Sequence, residues 1–195
     1  KEPGRRKAAA DYLRQNPHRL HLGMIGLSLL QENGLPARPE HIDKLHQELD
    51  GWSGIISSSF SVGSKSVLVK TCCHHDMDLV SGWITSRLLK EERLRISIRF
   101  PYPTGNHTDS GCDWTQGHKH TTTITMLSSN TAVIHRILDS TVYDVVVRWS
   151  GKAVLIMTGP HEANLVPAGG TDHFSFSCCF TPEWNGSNIP DFKET

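Results

Sequence analysis

His118 and His120 flank Lys119. On a strand, two imidazoles at this spacing leave the same face, which is the geometry that two ligands of one metal ion need. His107 and Asp113 lie close by in sequence. A zinc site needs further ligands at defined spacings, so a polar loop is the expected structure here, with no metal and no other cofactor. His74 and His75 precede Asp76 and Asp78, but successive strand residues face apart and do not readily share an ion. The same divergence separates Cys72, Cys73 and His74, whereas a thiolate nucleophile needs a base positioned against it. Glu48 and Asp50 have same-face strand spacing. Acid–base cleavage of a glycosidic bond needs two carboxyl groups facing each other across the sugar. No such pair is recognisable, and structural hydrogen bonding is the expected role of both residues. The chain shows no G-x-S-x-G, no phosphate-binding loop and no dinucleotide fingerprint. No catalytic residue is assigned.

Binding chemistry is better represented. Sugars stack on aromatic faces and bond to carboxylates, amides and guanidinium groups. Trp52, Trp83, Trp114, Trp149 and Trp184 are the candidate platforms. Trp149 follows the β-type run Val145-Val146-Val147-Arg148 and is expected in the core. Trp114, in the loop 111–117, and Trp184, near the C-terminus, are the candidate carbohydrate-binding aromatics.

Bulk properties narrow the partners. Lys+Arg and Asp+Glu are 20 each, so the formal net charge is zero. A nucleic-acid surface would show a basic excess or stripe, and Arg5-Arg6-Lys7 alone is an ordinary solvated terminus. No apolar run approaches a membrane span. No signal peptide is visible, and Lys1-Glu2-Pro3 reads as an internal or processed start. The sequons Asn106-His107-Thr108 and Asn185-Gly186-Ser187 point to glycosylation and to a secreted, extracellular protein. Five cysteines, Cys72, Cys73, Cys112, Cys178 and Cys179, leave at least one thiol free within the chain. A bridge between the two vicinal pairs stays open at this stage.

The elements that position these residues are mostly strands. A short helix is expected over Lys7–Gln15, ended by Asn16-Pro17, then a strand over Leu20–Leu27 and a polar, irregular stretch over Pro36–Asp50. Strands are expected over 55–62 and 67–73 as a hairpin about Gly63-Ser64-Lys65-Ser66. Others follow over 79–85, 94–100, 121–127, 132–138, 142–149, 153–158, 161–166 and 174–180. In Arg93–Phe100 the alternation is strict: Leu94, Ile96, Ile98 and Phe100 share one face. Many short strands separated by turn signals define an all-β antiparallel sandwich. Residues 1–181 are expected to form the sandwich domain and 182–195 a linker-like tail.

The block Asp11–Gly23, DYLRQNPHRLHLG, resembles one in the β-rich N-terminal region of six-hairpin glycosidase-like proteins related to glycoside hydrolase family 65. Similar blocks follow in order: 46–54, the T-x-x-H-x-x-x-D segment from Thr71 to Asp78, Phe100-Pro101-Tyr102, Asp113-Trp114-Thr115, Thr158–Glu162 and Ile189–Phe192. The likeness covers nearly the whole chain and departs from the family's pattern at Met24, Gly51 and His75. It implies a galactose-mutarotase-like supersandwich that lacks the family's first strands and precedes a helical (α/α)6 barrel carrying the catalytic carboxylates. It also implies that His18-Arg19 lies near the interface with that barrel, which adds both residues to the candidate sugar contacts. The chain alone is then a non-catalytic carbohydrate-binding portion of a glycoside-hydrolase-like protein. The alternatives are a stand-alone secreted lectin-like protein, cytotoxic or antifungal in action, and a small His-dependent hydrolase.

Overall fold

The computed structural model describes residues 4–14, 20–106 and 109–195. A single helix, α1 (Arg5–Arg14), precedes the strands and buries none of its residues. The strands are β1 (Met24–Leu29), β2 (Ile42–Asp50), β3 (Ile55–Val62), β4 (Lys65–Cys73), β5 (Leu79–Ser86) and β6 (Leu94–Arg99). There follow the short β7 (Tyr102–Pro103) and β8 (Cys112–Asp113), then β9 (His120–Ser128), β10 (Thr131–Leu138), β11 (Thr141–Trp149), β12 (Ala153–Gly159), β13 (Glu162–Pro167) and β14 (His173–Thr181). A one-turn helix, α2 (Arg87–Lys90), is capped by Ser86, whose hydroxyl accepts from the Leu88 amide at 3.1 Å, and it buries Leu88 and Leu89. Among the described residues no helix is long and apolar enough to cross a membrane.

Two antiparallel sheets carry the architecture. The small one has the order β1-β6-β13-β12 and the large one β2-β3-β4-β5-β14-β11-β10-β9. The chain is an all-β antiparallel supersandwich with a short N-terminal helix: the antiparallel layers are those its alternation predicts, and the supersandwich is the form the resemblance implies. Leu94, Ile96 and Ile98 are 0% exposed, and they meet Val67, Ile84, Ile134, Val145, Val147 and Phe174 of the large sheet in one core. Trp149 lies in that core, as expected.

Gly82 shows how tightly the inner layer is filled. It pairs with Phe176, whose ring covers it: a Cβ at position 82 would lie 2.6 Å from the Phe176 ring. Gly82→Ala is expected to destabilise the fold by about 1–3 kcal/mol, since the ring is packed and can give way only with strain. Gly26→Ala on β1 meets nothing within 4 Å and serves as the control. Equal denaturation midpoints for the two variants would show that the ring is not fixed.

Two sequence expectations are corrected, and the open question of the cysteine pairing is settled. The stretch 36–50, read as irregular, contains β2, an edge strand with all but its first residue exposed. The first strand begins at Met24 rather than Leu20. The vicinal cysteines are unbridged: all five are free thiols. Register explains this, because Cys73 pairs with Val80 and Val80 with Cys178. The two pairs are thus two strand spacings apart, about 9–10 Å, too far for a disulfide.

Residues 182–195, expected as a linker-like tail, run along the outer face of the large sheet. Ile189 is buried there with Leu79, Val133, Val146 and Cys179. Arg148 donates to the Ile189 carbonyl at 2.5 Å, and the Thr195 hydroxyl meets that of Ser81 at 2.8 Å.

Candidate functional site

A cleft of about 580 Å³ opens where β6 ends, β9 begins and β12 turns into β13. Its walls include Phe100, Asp113, Trp114, His118, His120, His161 and Glu162. Three sequence blocks far apart in the chain, 100–102, 113–115 and 158–162, therefore converge on one site.

The platform is Trp114, 44% exposed. The Arg99 guanidinium lies 4.2 Å from its ring centroid, and Arg99 Nε donates to Glu162 Oε1 at 2.9 Å. Arg99 points outward from β6 because it occupies the phase opposite Leu94, Ile96 and Ile98. A cation–π contact and an ion pair thus hold the indole in place. Asp113 accepts from the Thr115 amide at 2.9 Å and the Thr115 hydroxyl at 2.7 Å. These bonds hold its carboxyl below the usual carboxylate range. Asp113 is ionised, not the protonated acid that glycoside hydrolysis requires, and Glu162 is ion-paired with Arg99.

Beneath the cleft lies Arg136, 0% exposed. It stands on the apolar phase of β10, level with Ala132, Ile134 and Leu138. Its Nη2 donates to His120 Nδ1 at 2.6 Å. Its Nη1 donates to the Thr121 carbonyl at 2.9 Å and to the Thr122 hydroxyl, and Nε reaches the Tyr143 hydroxyl at 3.4 Å. Tyr143 in turn donates to the Leu22 carbonyl at 2.6 Å. The Phe100 ring faces the guanidinium at 4.6 Å. Neutral acceptors and aromatic faces therefore satisfy this buried cation.

The hydrogen bonds fix the histidine tautomers. His161 donates from Nε2 to the Gly117 carbonyl at 2.7 Å, so its Nδ1 accepts from Thr122 at 2.7 Å. His120 accepts at Nδ1 and carries its proton on Nε2. The two imidazoles stack with centroids 3.6 Å apart. Burial, His161 and Arg136 together lower the His120 pKa from 6.5 to about 4, so His120 is neutral at physiological pH.

The other predicted residues are distributed differently. His118 lies on the turn Gly117–Lys119 while His120 opens β9, so they do not share a strand face. His74 and His75 lie just past β4, where their rings stack at 4.7 Å; the expected divergence does not hold off the strand. Asp50 accepts from Trp52 N and Ser53 Oγ, a turn-stabilising role. Trp184 packs against the outer-face cluster, its indole N–H on the Ser187 carbonyl at 3.0 Å, away from the cleft. Asn185 is exposed and its Oδ1 accepts from Ser187 N. Asn106 is exposed, but His107 and Thr108 of its sequon lie outside the described residues. His18 and Arg19 also lie outside them. Sequence reasoning missed Arg136, although an arginine on the buried phase of a strand was the available signal.

Fold and cleft together define a class: an all-β sandwich with an aromatic, polar-rimmed cleft at one end of its strands. No family model and no curated protein matches the chain. Among solved structures it is similar to one described as "Putative kojibiose phosphorylase from human microbiome", with a TM-score of 0.53 and 9% identity over 83% of this chain. The match covers 22% of that structure's chain, so the likeness is one of fold, to a part of a much longer protein.

Proposed function

We propose that this chain is the non-catalytic β-sandwich portion of a secreted glycoside-hydrolase-like protein, and that it contributes carbohydrate binding through the cleft at Trp114. The observation that carries the reading is the convergence on one cleft of an exposed indole backed by Arg99, the ionised Asp113, His161 and Glu162. Such a site offers a flat apolar face for a pyranose ring and donors and acceptors for its hydroxyls. The similarity to part of a carbohydrate-processing enzyme agrees with it. A helical catalytic domain is the proposed partner, and Asn106 and Asn185 are the proposed glycosylation sites.

Kojibiose, a glucose disaccharide, is the first probe, measured by calorimetry on the full chain. Trp114→Ala is expected to weaken binding about tenfold, the equivalent of about 1.4 kcal/mol of lost stacking. Asp113→Asn is expected to weaken it less, since the amide keeps one acceptor. Unchanged affinity in Trp114→Ala would remove the cleft from consideration.

A further inference from the structure

A second cavity, of about 550 Å³, lies on the outer face of the large sheet and has no part in the cleft. Its floor is Trp83. Leu79, Ser81 and Trp83 alternate onto this face of β5, where Leu79 meets Ile189 and Ser81 meets Thr195. Trp83 is the next residue along that row, and the tail leaves it half-covered. The Phe192 ring lies against it, tilted, at 6.0 Å. The His173 imidazole lies nearly parallel to it, 6° apart in plane and 5.9 Å between centroids. The two rings, from paired strands, stack on each other at the base of the cavity. Lys152, Asp191, Lys193 and Thr171 form the polar rim.

We propose that this groove is a second carbohydrate-binding site, taking a neutral oligosaccharide with one ring packed against the Trp83–His173 pair. An aromatic base ringed by short-range donors and acceptors is the pattern that pyranosides use. The rim carries both signs of charge. A polyol serves them alike, its hydroxyls donating to Asp191 and accepting from Lys152 and Lys193. The site is remote from the cleft: β11 runs from one to the other, nine residues from Thr141 to Trp149, or about 27 Å. Two sites at opposite ends of the strands would let one domain hold a polysaccharide at two points, with the gain in apparent affinity that linked contacts confer.

The test follows the five tryptophan indole signals of the chain by NMR, assigned with single Trp→Phe variants, while maltotriose, cellotriose or chitotriose is added to millimolar concentration. At least one of the three is expected to shift the Trp83 signal saturably. Lys152→Ala, on an exposed side chain, is expected to weaken that titration severalfold while leaving the chain folded, and Trp83→Ala to abolish groove binding. A Trp83 signal that stays fixed with all three sugars overturns the proposal. Movement of Trp114 alone would leave the cleft reading standing and sink this one, and movement of Trp83 alone would carry this proposal whatever the kojibiose test shows at the cleft.

Discussion

Replacing Arg136 with methionine is expected to destabilise the fold by about 3 kcal/mol, more than any other single change at the site. Methionine matches much of the side chain's length but returns none of its hydrogen bonds. The Thr121 carbonyl, His120 Nδ1 and the Tyr143 hydroxyl each lose a donor. An unmet buried polar group costs about 1–3 kcal/mol, and removing the desolvated charge itself offsets part of the sum. Arg136→Lys keeps the charge but lacks the planar fork that serves several acceptors at once, so it is expected to recover part of the loss and no more. Urea denaturation at neutral pH reads both, and a lower midpoint at constant slope marks lost stability rather than a changed unfolded state. A wild-type midpoint for Arg136→Met would mean that the guanidinium contributes nothing to the fold. Loosening the Thr122–His161 chain should also weaken sugar binding at Trp114, because His161 lines the same cleft.

The sequence reveals this fold to the extent that burial alternates. Leu94, Ile96 and Ile98 announce β6 because one face is dry and the other wet. Strand β2 has no dry face: from Asp43 to Asp50 it is exposed throughout, so its residues carry no period to read, and a backbone ladder with β3 makes it a strand. Lys44, at a positive φ of 54° where the β2–β3 register shifts, bends this outer edge, which blunts its capacity to pair with another chain.

The candidate site was legible in part. Trp114 could be chosen because a tryptophan in a polar, glycine-flanked loop has little core to enter. Trp184 satisfied the same rule and is nonetheless held by the tail's own packing, with Asp144 binding its backbone amide at 3.0 Å. A long-range contact of this kind leaves no local pattern. Trp83 illustrates the converse. It sits on a strand, where packing is the ordinary fate of an indole, and its groove exists only because the tail crosses the sheet beside it. Arg136 breaks an apolar alternation, and such a break marks a residue whose partners come from elsewhere in the chain.

His120 should make the protein acid-labile over a defined window. In the unfolded chain it titrates near 6.5, and in the fold near 4. Between these values the unfolded state binds a proton that the native state refuses, so stability falls as the pH falls. The contribution is whole above pH 6.5 and is lost progressively down to about pH 4, amounting to about 3 kcal/mol across the window. The native state refuses the proton for three reasons: His120 is 8% exposed, its Nδ1 is already committed to Arg136, and a second cation against that guanidinium would have the stacked His161 as neighbour. His120→Asn presents an amide oxygen near the Nδ1 position, can accept from Arg136, and does not titrate. Its stability should therefore be flatter than that of the wild type between pH 6.5 and 4, the two converging towards the acid end. The difference between the two denaturation curves isolates His120 from the carboxylates that titrate in both proteins. Parallel curves throughout the window would show that His120 takes up its proton in the folded state as readily as in the unfolded one, and that the Arg136 contact does not govern it.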